Sequence, residues 1–567
     1  MGASAPPLPI RELGFTQVAF AGHNRSEDLG DPAEAAAGLK SAFAMLSQAG
    51  VKQARMVSGL ARGADLLAAE AWRAAGLGPI HAVIPFLDEV VDPAAAALAQ
   101  SSTWLDGRTT ESLGRNPHLA QTRWLIGVAD LLVVVWTGDH ARGAGGTADA
   151  VRLALEHGIP VFWIQPGEPC ALRLIRPEHL AEDFGFLEFL EELRLGREPL
   201  VRAATPENLH EALVDLGLGA SPPDLGDEQQ ELPTPAKRPQ AKIWRTYAIF
   251  RRVLGGKAPP FTPHFPPADL MAQPGFAWLS RIQAIADDEA SRLGAVHRSH
   301  QVILLGVAML GAFAGSASSL WPATKLLMVV IEIFLALGAF AVWLDSEHGH
   351  RHERWGEARR LAEDLRLERV AWALGVSTAP QGVRLSSSVR ARHVRRQAGL
   401  PGGMYDPDRV KAWGAWAIEE LVAGQGAYHR AQAQINGRIG HRVHQVENGS
   451  FVILMIVLVS FVIASVVLPF QHLHKPSWLD GLVAVAGTIV PAIGAAALAL
   501  EATLSLEEQA QRSRLLATRL ELILVDLGSA TSLEAHQAAA KAAIRLQRAQ
   551  EDHWTEGAGR RRLYRAG

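Results

Sequence analysis

The sequence predicts an α/β domain with a parallel sheet, followed by an all-α membrane region of four transmembrane helices in two hairpins with a cytoplasmic helical bundle. Three observations predict it. Short apolar runs alternate with alanine-rich helical stretches from Gln17 to Gln165, four long apolar stretches follow residue 300, and Lys and Arg gather between the two hairpins rather than inside them. The composition of the 567-residue chain agrees: 48% of residues are hydrophobic, 20% are charged, and the formal net charge is −3. That balance excludes a disordered chain, and it lacks the basic surplus of a protein built on nucleic-acid phosphates, so no direct nucleic-acid partner is expected. One cysteine, Cys170, allows neither an internal disulfide nor a cysteine-based zinc site, and no metal is expected. The opening MGASAPPLPIRELG lacks the apolar run of a secretory signal, and Pro6 stands where a myristoylation signal needs Ser or Thr.

The apolar runs are Gln17–Ala21, Arg55–Ser58, Ile80–Pro85, Asp130–Trp136 and Pro160–Gln165. Each is short, carries β-branched or aromatic residues and leads into a turn-forming stretch, as strands do. Continuous runs such as LLVVVW (131–136) fit a sheet covered on both faces. Residues 1–220 therefore read as a Rossmann-like domain. Residues 221–274 form a proline-rich linker with one basic amphipathic stretch, KIWRTYAIFRRVL (242–254), which suits a helix packed on its neighbours or one lying at the inner membrane face. The apolar stretches 302–320, 326–344, 450–469 and 481–500 each have about the ~20 residues needed to cross the hydrocarbon. Segment 345–449 holds many basic residues, among them Arg351, Arg354, Arg359, Arg360, Arg438 and Arg442, whereas the joins inside the hairpins hold only Lys325 and Lys475. The positive-inside rule then places both termini in the cytoplasm, with the spans in the membrane that bounds it. The hairpins look like a duplicated unit, over 275–375 and 425–530, separated by a connector (376–424) and followed by a C-terminal helix and basic tail (531–567).

Ligands of open parallel sheets bind outside the carboxyl ends of the strands. The first apolar run leads there into Gly22, His23, Asn24 and Arg25. The second leads into Ser58, Gly59, Arg62, Gly63 and Asp65, running straight into a helix. The fourth leads through Asp139 to Gly145, Gly146 and Thr147, opening another. Glycines ahead of a helix let backbone N–H groups approach an anion. Two such loops facing one crevice, with Arg25, Arg62 and Arg123 within reach, suit a phosphorylated nucleotide.

At these residues a resemblance enters. SGLARGADLLAAEAW (58–72) resembles a segment of the DNA-processing protein A type, and GAGGTADAVRLALEHGIPV (143–161) is similar to the GG-x-GT segment of LOG phosphoribohydrolases. Both belong to the SLOG superfamily of Rossmann-like folds, and the resemblance covers about 17–165. It implies a nucleotide-derived ligand, such as an ADP-ribose derivative or a cyclic oligonucleotide. LOG enzymes place a glutamate three residues after the motif threonine; that position here is Ala150, with Asp149 beside it, so no catalytic residue is assigned. Binding without turnover is the first expectation. A membrane-anchored nucleotide N-glycosidase using Asp65, Asp139 or Asp149 is the alternative, and a regulated transporter ranks third.

The two hairpin units, with WGEARRLAEDLR (355–366), resemble the SLATT two-span effector domain. That resemblance implies a sensor of a nucleotide second messenger in bacterial antiviral defence, acting with a nucleotide-synthesising partner enzyme. Its homo-oligomeric spans would form a pore or disrupt the lipid bilayer. Within the spans, Gly311 and Gly315 are spaced for close helix approach, Pro491 is expected to bend the fourth span, and Glu332 is a carboxylate at depth facing an aqueous path or snorkelling outward.

Overall fold

The computed structural model describes residues 16–563 apart from 24–29, 110–115, 141–142, 168–169, 178–184, 195–200, 219–241, 258–263, 321, 349–350, 379–385, 471–476 and 528–530. The strands are β1 (Thr16–Gly22), β2 (Ala54–Ser58), β3 (Ile80–Phe86), β4 (Ser101–Gly107), β5 (Leu131–Val135), β6 (Val161–Gln165), β7 (Ala171–Ile175), β8 (Val201–Ala203) and β9 (Gly403–Met404). They form one sheet in the order β8-β7-β6-β5-β1-β2-β3-β4-β9. All neighbours from β6 to β9 pair in parallel, with Ala19 of β1 opposite Val57 and Leu132, while β7 and β8 add an antiparallel edge. The five apolar runs are strands within a residue or two of their expected bounds. Four strands fall outside those runs: β4, β7, β8 and β9. SSTWLDG of β4 is polar because only alternate residues, among them Thr103 and Leu105, face the interior. Strand β9 arrives from the segment expected to be a connector, so part of 376–424 belongs to the sheet.

Helices cover both faces. On one lie α1 (Pro32–Gln48), started by the Asp31 carboxylate accepting from Ala33 N at 2.9 Å, and α2 (Ala64–Ala75), with Phe43 and Trp72 in edge-to-face contact in its core. A single turn, α3 (Pro93–Ala96), precedes β4. On the other face lie α4 (Pro117–Val128), capped by Asn116, and α5 (Thr147–Glu156). Helix α6 (Phe186–Arg194) adds Phe189 and Leu190 to this second core, and α7 (Pro206–Asp215) closes the first with a capping box between Thr205 and Asn208.

The rest is helical: α8 (Thr246–Gly255), α9 (Ala268–Met271), α10 (Pro274–Leu320), α11 (Lys325–His348), α12 (Arg351–Leu374), α13 (Ser386–Ala398), α14 (Pro407–Ile418), α15 (Gly424–Phe470), α16 (Ser477–Leu504), α17 (Leu506–Leu527) and α18 (Leu533–Leu563). Four helices are long and apolar enough to cross a membrane. The two units are laid out alike. Helices α10 and α15 each have 47 residues; α10 packs along α11 and α12, α15 along α16 and α17, and α10 meets α16 across the units.

The cores do not respect the expected domain boundary. Sheet residues Ala19, Val57 and Leu132 share one apolar cluster with Trp124 of α4, Phe276 of α10, Trp372 of α12, Trp413 of α14 and Leu520 of α17. Sheet domain and helical bundle are thus a continuous body, and three apolar stretches extend out of it: the first on an unbroken helix, the third through a π turn, and the fourth across a break at Ser505, at φ +48°.

Candidate functional site

Strand β1 lies between β2 and β5, so the chain order reverses there and the strand ends open a crevice. His23 bridges it: its carbonyl accepts from Ala64 N at 3.1 Å, and its Nε2 accepts from Thr137 N at 3.2 Å, which fixes Nε2 as the unprotonated nitrogen. Gly22 is needed for contact, since a Cβ there would lie 2.4 Å from the Ala64 methyl. Gly63, at φ +91°, turns the chain into α2, while Leu60 is held left-handed at φ +51° with its side chain buried.

Asp65 organises this first loop. Its carboxylate accepts from Ser58 Oγ at 3.1 Å and from the backbone N–H groups of Ala61, Gly59 and Gly22. Burial pushes the carboxyl up to about 7 against those four hydrogen bonds. The second loop repeats the device. Asp149 Oδ2, in the first turn of α5, accepts from Gly145 N at 2.8 Å, while its other oxygen takes Arg152 at 3.1 Å. Ala150 faces the core instead, 1% exposed. Each glycine loop is therefore closed by a carboxylate from its own helix, which gives both a fixed shape.

The start of α4 stands between the loops, and its residues were missed in the sequence. Gln121 donates to Val83 O at 2.6 Å, and its amide nitrogen would lie 2.6 Å from a Cβ on Gly59. Thr122 Oγ1 donates to Gly145 O at 2.9 Å, and a Cβ on Gly145, at φ +85°, would meet Leu119 N at 2.4 Å. His118 packs edge-on against Phe86. The available signal was the Asn116-Pro117 helix start, which puts His118 and Gln121 on the first exposed turns beside the carboxyl ends of β3 and β5.

The structure thus brings together Gly22, His23, Ser58, Gly59, Gly63, Asp65, Gly145, Gly146 and Thr147, with Arg62 exposed at the rim. Arg25 lies outside the described residues. Arg123 is corrected: it pairs with Glu534 of α18, because its position on α4 faces the C-terminal helix and not the crevice. Among the described residues no group of three or more His, Cys, Asp or Glu side chains could hold a metal.

At the opposite, amino end of β5 the sheet is tied to the helices. Asp130 accepts from Gln17 N at 3.0 Å, from Arg396 at 2.6–3.0 Å and from Arg392 at 3.2 Å, all buried or nearly so. Burial alone would raise its carboxyl; Arg396 and Arg392 outweigh it and hold it below the usual range. Next to it Arg395 joins Glu368 at 3.1 Å and donates to Val376 O and Gly127 O. Backbones touch here: a Cβ on Gly127 of α4 would sit 2.2 Å from Gly375 O. Helix α18 adds Gln537 Nε2 to Leu374 O at 2.8 Å and Lys541 Nζ to His157 at 2.7 Å. Between α14 and α15 a π turn (Glu419–Ala423) leaves carbonyls that Arg366 and Gln547 satisfy at 3.2 and 2.6 Å.

Burial, with Lys541 and Arg545 beside it, lowers the His157 imidazole to about 4; burial takes His429 to about 4 as well. A histidine whose folded pKa lies below its ordinary ~6.5 supplies stability that is full above pH ~6.5 and lost as pH falls toward ~4. Thermal unfolding of the purified chain is accordingly expected to shift down between pH 6.5 and 4, and His157→Gln should reduce the shift.

In the spans, Gly315 receives the Glu332 carboxylate, whose Oε1 would lie 2.4 Å from a Cβ on that glycine, whereas Gly311 meets nothing within 4 Å. The paired close approach expected of these glycines is therefore corrected: within one chain only Gly315 is covered, and by a side chain. Pro491 sits inside α16, which runs on from Ser477 to Leu504, and Gly494 faces Ser450 of α15. No protein-family model and no curated protein matches the chain.

Proposed function

We propose that the chain is a nucleotide-gated membrane effector: a Rossmann-like, SLOG-type sensor on the cytoplasmic side whose ligand state is carried to four inner-membrane spans. The observation that carries this reading is the shared core, in which the strands bearing the glycine loops pack against helices that continue into the spans. Phe276 in that core lies 26 residues before Val302 on one helix, a reach of roughly 39 Å at 1.5 Å per residue. A displacement at the crevice would be delivered to the membrane by rods of that length. The ligand class is a nucleotide second messenger with phosphates for the loop donors and Arg62, an ADP-ribose derivative or a cyclic oligonucleotide. The SLOG and SLATT resemblances support a role for such a device in bacterial antiviral defence, with a nucleotide-synthesising partner and a homo-oligomeric pore or lipid-disrupting state. Turnover is not part of the proposal, because Asp149 is committed to Gly145 and Arg152.

The test is membrane potential in cells expressing the full chain during phage challenge. Depolarisation is expected in the wild type and its loss in Arg62→Ala and Thr147→Ala; unchanged depolarisation in both removes the crevice from the account. A second expectation concerns pH. With its carboxyl near 7, Asp65 is neutral below that pH and anionic above it. Titration calorimetry with ADP-ribose should show affinity falling from pH 6 to 8, and Asp65→Asn should flatten the dependence.

A further inference from the structure

Helix α8 makes an excursion that the packing of the sheet domain does not require. Leu218 belongs to the first sheet core and Leu270 to the core shared with the helices, yet between them the chain reaches the ends of the spans and returns. Tyr247 N donates to Ser299 Oγ at 3.2 Å, Ser299 donates to Trp244 O at 2.8 Å, and Trp244 lies against the His300 ring. Ser299 stands three residues before the first apolar stretch and 23 after Phe276, roughly 35 Å along the helix.

At its other end α8 holds the second unit. A Cβ on Gly255 would touch Ile435 and Ile439 of α15, Arg442 donates to Val253 O and Leu254 O at 2.9 Å each, and Arg251 donates to Gln432 at 2.6 Å. Tyr247, Phe250 and Leu254 face inward and join a cluster with Val302, Leu305, Ala497 and Leu500. The helix is thus a strap across both hairpin units where the spans begin. Its outward stripe is Arg245, Ala248, Ile249, Arg252 and Val253, all exposed. Ile249 is 62% and Val253 65% exposed, which a helix facing bulk water gains nothing from. Alternating apolar and basic positions beside the ends of spans fit one partner, the headgroup region of an anionic leaflet.

We infer that the outward stripe of α8 is a membrane-surface contact, with Ile249 and Val253 entering the interface and Arg245 and Arg252 pairing with anionic lipid phosphates. The leaflet's identity rests on the cytoplasmic placement proposed above; the contact itself rests on α8 lying at the ends of the spans. The test uses the full chain in nanodiscs, carrying Cys170→Ser and Ile249→Cys labelled with an environment-sensitive fluorophore. Headgroup-nitroxide lipid is expected to quench the label more strongly in phosphatidylglycerol than in phosphatidylcholine. Arg245→Glu with Arg252→Glu should remove at least about half of that excess, since each basic residue near a surface contributes measurably to the attraction. Quenching by aqueous iodide but not by lipid nitroxide would overturn the proposal, as would a label shielded from both, which means that protein covers the stripe. Equal lipid quenching in the two lipids would overturn the anionic preference. None of these outcomes depends on a nucleotide, so failure here leaves the gating reading to its own test.

Discussion

Asp130→Ala is expected to destabilise the chain by about 3–5 kcal/mol, because it strands buried Arg396 and leaves Arg392 without its carboxylate. The cost comes less from the lost attraction than from the guanidinium left behind in a low-dielectric site. Replacing both partners together, Asp130→Leu with Arg396→Met, should therefore cost much less than the single change. Denaturant unfolding of the detergent-solubilised protein, followed by tryptophan fluorescence from the core that holds Trp124 and Trp372, measures both. The pH sign follows from the depressed carboxyl. Asp130 supplies stability that is present above its unfolded pKa of ~3.9 and lost as pH falls through its lower folded value, so this tie weakens only in strong acid.

Gly127→Val is expected to loosen the joint between the sheet and the helices while the chain stays folded. A branched side chain there would drive into Gly375 O, which is backbone and cannot swing aside, and Gly375 is itself pinned at φ +64° against the Trp124 indole. The strain should be about 1–3 kcal/mol, relieved by a shift between α4 and the α12–α13 corner. Because the crevice is at the other end of β5, ADP-ribose affinity should change little while depolarisation is lost. Limited proteolysis should cut the variant between residues 374 and 378 faster than the wild type.

The residues that hold this joint explain what the sequence could and could not reveal. Strands β1, β2, β3, β5 and β6 were legible because each is buried on both sides and so continuously apolar. Strand β4 alternates, and β9 is two residues long, so neither has a pattern to find. The crevice glycines were legible because a helix start after a strand constrains residue type locally. Gln121 and Thr122 serve the same crevice through contacts with distant loops. The arginines of α13 look like more of the basic residues that flank membrane spans. Their partner Asp130 is 266 residues from Arg396, a pairing that no local pattern encodes. Arg123 was misplaced for the same reason, its partner Glu534 being 411 residues away.

The central claim is that the sheet bearing the crevice and the helices bearing the spans are one cooperative body. Native-state hydrogen exchange of the full chain in nanodiscs, compared with Asp130→Ala, tests it most directly. If the body is single, amides of β5, of α13 and of α10 near Phe276 exchange with similar free energies, and all three lose protection together in the variant. Loss of protection in β5 alone, with α10 and α13 unchanged, would contradict the account.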